Sequence, residues 1–340
     1  MAAGQEVDVG SNAPFGLAGV DPVLEASLRA RLAEVESLLR ASVTSDYPFV
    51  TETSRHLVDA GGKRFRPLLV LLAAQFGDPD APGVLPAAVV VELTHLATLY
   101  HDDVMDEAAL RRGAPSANSR WDNTVAILTG DFLFARASDL LADLGPEAVR
   151  IQARTFERLV TGQIRETVGP APDEDPISHH LSVLADKTGS LIATSGRFGA
   201  LLAGAAPEVV STLTRYGENI GVAFQLADDL LDVASESGQS GKTPGTDLRE
   251  GVATLPVLLA RREAGQRDAR LLELLDGDLR DDHRHAEALR LLRGHPAMEA
   301  ARQELDRWTE AARACLDPLP EGAARDALVA MCDLVGNRVG

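Results

Sequence analysis

Cysteine is scarce in this chain. Cys315 and Cys332 are the only two in 340 residues. They show no C-x-x-C spacing, which argues against a disulfide framework or a thiolate metal site and makes a reducing, cytoplasmic compartment the expectation. Aromatic residues are few, at 4%, so the core must be built from Leu, Ala and Val. Positive charge is in deficit: 33 Lys and Arg stand against 51 Asp and Glu, a net charge of −18. That balance argues against nucleic acid as a partner, because phosphate binding needs a basic face. The longest apolar stretch, 84–100, is interrupted by Glu92 and His95 and reads as too short and too polar to span a bilayer. Residues 1–20 have neither a basic start nor an apolar run, so they read as a disordered tail rather than a signal peptide. Alternating strand patterns of useful length are also missing.

What is present is helix. Leu24, Leu28, Leu32, Val35, Leu38 and Leu39 fall at helical spacing, with Asp21 as N-cap and Pro22 at the first helical position. Further helices are expected at 68–76, 86–109, 124–144, 147–168, 178–204, 208–233 and 253–263, followed by amphipathic segments to the C-terminus. Residues 169–176 read as a loop. The polar, Gly-rich stretch 235–251 reads as a mobile lid. Together these predict one all-α domain over residues 21–340.

Two acidic runs stand out within this helical pattern. Asp102-Asp103-Val104-Met105-Asp106 and Asp228-Asp229-Leu230-Leu231-Asp232 share the pattern D-D-x-x-D. Helix spacing puts Asp102 and Asp106 on one face, and Gln225, Asp228, Asp229 and Asp232 on another. Like charges so placed repel, and more strongly when desolvated. A single run is as easily a solvated acidic face. Two runs flanked by Leu, Val and Ala, each followed by cations, point to divalent metal holding a polyanion, and hard carboxylate oxygens suit Mg²⁺.

The cations are grouped. Gly61-Gly62-Lys63-Arg64-Phe65-Arg66-Pro67 joins a flexible turn to three positive charges, a combination suited to a diphosphate. Arg111-Arg112-Gly113 follows the first acidic run. Lys187-Thr188 and Gly241-Lys242, with Gly245 and Asp247 beyond, add two more positive charges.

These elements, with His101 before the first run, Gly130-Asp131-Phe132-Leu133 and Phe224-Gln225 before the second, occur in one order over roughly residues 45–260. In that order the chain resembles the trans-type polyprenyl diphosphate synthases, the head-to-tail isoprenyl diphosphate synthase family. The resemblance implies an all-α bundle around a deep central cavity, usually a homodimer. It implies three Mg²⁺ ions held by Asp102, Asp106 and Asp228, with Asp103, Asp229 and Asp232 holding metal water or orienting the ligands. Arg111, Lys187 and Lys242 would bind the allylic diphosphate. Lys63, Arg66, His95 and Arg112 would bind isopentenyl diphosphate. Thr188 and Gln225 would face the allylic cation, and the released diphosphate would take the proton.

In this family, large residues four and five positions before the first acidic run form a tunnel floor. Here Thr98 and Ala97 occupy those positions and Thr94 lies eight before. Thr98 and Thr94 lie about 6 and 12 Å below Asp102 along the helix. All three residues are small, which implies a long all-trans product of C30 or more, with transient membrane contact as it leaves. Tyr100 lies on nearly the opposite face and is not counted as a plug. The rival readings are a shorter-chain C15–C20 synthase, a terpene cyclase, which usually lacks the second run, and the regulatory subunit of a heteromeric synthase, in which acidic runs are generally decayed.

Overall fold

The computed structural model describes residues 20–235 and 244–339. Most of the proposed tail, and Lys242 within the proposed lid, therefore lie outside the described residues. The chain opens with α1 (Pro22–Ser42), α2 (Pro48–Asp59), α3 (Phe65–Ala74) and α4 (Val84–Met105). A two-stranded ribbon follows, β1 (Leu110–Arg111) with β2 (Ala114–Pro115). Next come α5 (Ala117–Arg120), α6 (Asn123–Leu144), α7 (Pro146–Val168), α8 (Pro176–Leu184), a π-turn (Ala185–Gly189), α9 (Ser190–Leu202) and α10 (Pro207–Ala234). The remainder is α11 (Thr246–Glu250), α12 (Leu255–Glu263), α13 (Ala269–Leu275), α14 (Asp282–Arg293), α15 (Ala297–Cys315) and α16 (Ala323–Gly336), closed by a 3₁₀ turn at Asn337–Val339.

The all-α expectation holds, and local chemistry explains the helix ends. Asp21 accepts hydrogen bonds from the Val23 and Leu24 amides at 3.0 and 2.9 Å, an N-cap ahead of Pro22. Asp122 and Asp175 cap α6 and α8 in the same way. Three details depart from the sequence reading. The expected 178–204 helix is interrupted by the π-turn. The expected loop at 235–251 contains the short helix α11. A ribbon too short to leave a period-two signal follows the first acidic run.

α4 is the central helix and packs on α1, α3, α6 and α9. Its 22 residues are long and apolar enough to cross a membrane by length and composition, but 67% of the apolar window is buried in the fold. Burial, rather than shortness, marks it as a core helix. One apolar cluster runs from Leu24 to Val335 and is mostly Leu, Val and Ala.

α9 and α10 approach so closely that side chains are excluded at several points. A Cβ on Gly217 would sit 2.6 Å from Ala193 Cα, and one on Gly221 would sit 2.8 Å from Gly189 Cα. A Cβ on Gly196 would meet Leu213 O at 2.6 Å. These glycines bring the helix carrying the second acidic run against the segment carrying Lys187 and Thr188.

Candidate active site

The first acidic run ends α4, where the helix dipole is negative and carboxylates are disfavoured. Cations from the following ribbon compensate. Arg112 and Gly113 both have positive φ, 54° and 78°, forming the tight two-residue turn that a hairpin of this length requires. That turn sends Arg111 back to α4. Its Nε donates to Asp103 Oδ1 at 2.5 Å, and its Nη2 lies 4.0 Å from Asp106. Asp103 is fully buried, and its Oδ2 has no partner. Asp102 is half-buried and Asp106 exposed. Burial raises the Asp102 carboxyl to about 6, with Lys187 opposing and Asp106 adding to the rise.

The second run repeats this arrangement. Asp229 is buried, while Asp228 and Asp232 are half-buried. Gln225 Nε2 donates to Asp229 Oδ1 at 3.1 Å, and His180 Nε2 lies 3.2 Å from Asp229 Oδ2. In each run, then, the second aspartate is pinned inside the protein while the outer two face outward. Asp232 accepts from the Thr246 and Asp247 amides at 3.0 and 3.1 Å, so its carboxylate caps the N-terminus of α11. Asp228 pairs with Arg338 at 2.9 Å, and that guanidinium also lies over the Phe224 ring, 4.6 Å from its centroid.

Electrostatics link the two runs. Burial raises the Glu250 carboxyl, Asp106 and Asp232 raise it further, and Arg111 opposes them. The carboxylates of both runs therefore act on one group. Lys187 projects from the π-turn, a feature often found at functional sites, and its Nζ lies 2.5 Å from Glu166. Gly162 permits this approach: a Cβ there would fall 2.7 Å from the Lys187 amide nitrogen. Thr188 Oγ1 donates to Gln225 Oε1 at 3.4 Å, extending a polar chain from Thr188 through Gln225 to Asp229.

The basic loop does not act as a uniform patch. Arg64 has a left-handed φ of 47° at the start of α3 and turns inward. It pairs with Glu36, meets Glu92 at 2.7 Å and donates to Val58 O at 3.0 Å. Lys63 is exposed. Arg66 is held by burial at about 10, below its ordinary value, and its Nε is buried without a partner. Arg112 donates to Leu57 O at 3.1 Å and to Gly61 O. Gly62 has a φ of 151°, which L side chains rarely adopt, and a Cβ there would crowd this guanidinium at 2.9 Å. Burial pushes His95 well below its ordinary value, and Arg66, Arg112, Arg64 and Arg111 all add to that shift. So much positive charge around a neutral imidazole is a site for an anion.

Among the described residues, no three His, Cys, Asp or Glu converge into an all-protein metal cluster. This donor set nevertheless fits Mg²⁺, which takes one or two carboxylates and fills its remaining positions with water and phosphate oxygens. Asp102, Asp106 and Asp228 offer such partly open carboxylates.

Along α4 below Asp102, Thr98 is half-buried and donates to His95 O at 2.8 Å. Thr94 is fully buried, and its Oγ1 accepts from Gln152 Nε2 at 2.7 Å. Ala97 is buried, and its carbonyl lies 3.1 Å from where a Cβ on Gly130 would sit, so it faces α6. Tyr100 points away to α2, its hydroxyl donating to Thr53 O at 2.5 Å. His180, Gln152 and Arg338 were not singled out from the sequence. Each acts across helices, which leaves no local motif.

A helical fold with paired acidic runs and a separate group of cations offers carboxylates suited to metal and cations suited to an anion. The polyprenyl synthetase family pattern matches residues 47–292, and the chain belongs to that family. A nonaprenyl diphosphate synthase of Mycobacterium tuberculosis is 52% identical, covering 95% of this chain and 98% of its own. The solved structure of a geranylgeranyl pyrophosphate synthase from Corynebacterium glutamicum, complexed with calcium and isoprenyl diphosphate, is 49% identical. Its TM-score is 0.85, over 94% of this chain and 98% of that one. A decaprenyl diphosphate synthase structure from Rhodobacter capsulatus is 35% identical with a TM-score of 0.85, over 94% and 99% of the two chains.

Proposed function

We propose that the chain is a Mg²⁺-dependent polyprenyl diphosphate synthase that joins isopentenyl diphosphate head-to-tail to an allylic diphosphate. The allylic C1–O bond breaks and diphosphate leaves. The terminal alkene carbon of isopentenyl diphosphate bonds to C1, and loss of a proton forms the new double bond. The observation that carries this reading is the group of Arg66, Arg112 and His95, in which four arginines act on one neutral imidazole beside the first acidic run. Isopentenyl diphosphate keeps its diphosphate through the reaction, so cations alone suffice to hold it, with Lys63 at the rim. The allylic diphosphate must leave, so it belongs to the carboxylate side with Arg111, Lys187 and Lys242.

Asp102, Asp106 and Asp228 would hold three Mg²⁺ ions, with Asp103, Asp229 and Asp232 fixing the carboxylates and their water. When bound, Mg²⁺ supplies Lewis-acid stabilisation of charge on the departing diphosphate. Thr188 Oγ1 and Gln225 Oε1 aim oxygen dipoles at the allylic cation. His95 is neutral at physiological pH and acts as a diphosphate ligand. The departing diphosphate accepts the proton, so no side-chain base is needed.

The small residues Thr94, Ala97 and Thr98, together with the similarity to a nonaprenyl synthase, favour a product of C30 or longer. A shorter C15–C20 product has its own support: the Gln152–Thr94 bond closes the path two turns below Asp102, and the geranylgeranyl synthase is nearly as similar. Exposed apolar side chains on α6 and α7, including Leu128 and Ile164, support a homodimer through those helices. We place the enzyme in the cytoplasm, with passing membrane contact as the product leaves. Labelled isopentenyl diphosphate, an allylic primer and Mg²⁺, followed by chromatography of the dephosphorylated products, test the reading. Absence of elongation refutes the synthase, and a C15 or C20 end product refutes the long-chain assignment.

A further inference from the structure

A groove of about 460 Å³ lies between α7 and α9 and is lined by four arginines, Arg150, Arg154, Arg158 and Arg197. None of the residues assigned above to substrate or metal lines it. Arg150, Arg154 and Arg158 stand four residues apart and form one stripe of α7, and Arg197 reaches the groove from α9. Like charges at this spacing repel. Their clustering is the more unusual in a chain with 51 acidic residues to 33 basic ones.

Only one of the four is matched. Arg158 Nε donates to Asp186 Oδ1 at 2.9 Å, and its Nη2 donates to Glu218 Oε1 at 2.6 Å. Among the described residues, Arg150, Arg154 and Arg197 enter no hydrogen bond or ion pair. Glu147, the one acidic residue lining the groove, pairs with none of them. The hydroxyls of the groove are already engaged. Ser190 donates to Asp186 O at 2.6 Å, Thr214 donates to Val210 O at 2.7 Å, and Thr155 and Thr194 bond each other at 2.6 Å. Donors for a ligand therefore come from the guanidinium groups. The N-terminus of α7 adds to them, because Gly145 provides no side-chain cap there and the helix dipole is positive at that end. The arginine stripe is turned about 100° round α7 from Val149, which belongs to the exposed apolar face.

We propose that this groove binds a phosphate group of two or more negative charges, borne by a soluble compound or by a lipid headgroup, at a site separate from both diphosphate positions above. Each unpaired guanidinium offers a planar fork of donors that matches phosphate oxygens. Three such forks exceed what a single carboxylate can satisfy. The volume suits a small ligand, and Pro146, Ile151 and Ala193 give the part that bears the phosphate an apolar wall.

The test measures binding of inorganic diphosphate by calorimetry in metal-free buffer. In parallel, it measures co-sedimentation with phosphatidylcholine vesicles with and without phosphatidic acid. Wild type is compared with Arg154→Gln/Arg197→Gln and with a control, Arg267→Gln/Arg290→Gln, which removes the same charge from exposed positions outside the groove. Arg150→Gln/Arg154→Gln, at two exposed positions, repeats the comparison should the half-buried Arg197 be needed for folding. Wild type and control are expected to take up one more equivalent of diphosphate than the groove variant, which identifies a soluble phosphate. Sedimentation of wild type and control, but not the groove variant, with phosphatidic acid vesicles identifies a headgroup. At about tenfold per charge-assisted contact, loss of two arginines weakens the site about a hundredfold. Equal diphosphate stoichiometry together with equal vesicle binding in all the proteins overturns the site, and so does an equal loss in the groove variant and the control. Neither readout needs turnover, so the result stands apart from the synthase reading.

Discussion

Replacing Glu92 with Gln perturbs the charge balance of the proposed diphosphate pocket at its buried centre. The Glu92 and Arg64 side chains are 2% and 5% exposed and 2.7 Å apart. Glu92 also supports the charged forms of Arg66 and Arg112. Breaking a buried ion pair costs about 3–5 kcal/mol. Glu36 still faces the Arg64 guanidinium, so the low end of that range, about 3 kcal/mol, is expected. At roughly 2 °C per kcal/mol for a chain of this size, Tm falls by about 6 °C. The unbalanced guanidinium groups should then bind inorganic diphosphate more tightly, and tenfold tighter binding returns about 1.4 kcal/mol at saturating ligand. Thermal denaturation of wild type and Glu92→Gln, with and without diphosphate, measures both effects. A Tm loss below about 2 °C, or equal diphosphate-induced shifts in the two proteins, refutes this account of the pocket.

Three further perturbations follow. Asp102→Asn should abolish turnover yet stabilise the metal-free protein at pH 8. The folded carboxyl sits at about 6, above its ordinary value, so ionised Asp102 opposes folding above that pH. The variant's advantage should fade as pH falls through 6 toward 4, and a pH-independent difference in Tm counts against this cause. Asp232→Ala removes the cap of α11 and should cost about 1 kcal/mol, seen as faster amide exchange at Thr246 and Asp247. Unchanged protection there would show that the cap is not what holds the segment. Thr98→Phe should shorten the product while condensation continues, and unchanged length removes Thr98 from the tunnel wall.

The helical fold was legible because heptad-like apolar spacing and Asp caps are local signals. The acidic runs were legible because three carboxylates at helical spacing need a partner wherever they fold. The division of labour within each run was not. Asp103 and Asp229 are buried by contacts with Arg111, Gln225 and His180, and the packing of helices decides which aspartate points inward. Arg64 illustrates the same limit. In sequence it is one of three adjacent cations, yet a left-handed backbone turns it toward Glu36 and Glu92, both 28 residues away. The π-turn under Lys187 was missed because one extra residue in a helical turn barely disturbs the apolar periodicity. Gln152 lies on a helix whose pattern advertises only its buried face.

The glycine contacts between α9 and α10 have a mechanical consequence. With no side chains between the backbones, the two helices have little room to slide, and they form a single strut. The π-turn leads directly into one member of that strut, and the second acidic run lies on the other. The spacing of Thr188, Gln225 and Asp229 is therefore set by backbone contact between the two helices. The Arg111–Arg112 hairpin, by contrast, is joined to the frame through its arginine side chains. An alanine at Gly217 or Gly221, one methyl group each, would pry the strut apart and misalign a site that neither residue touches.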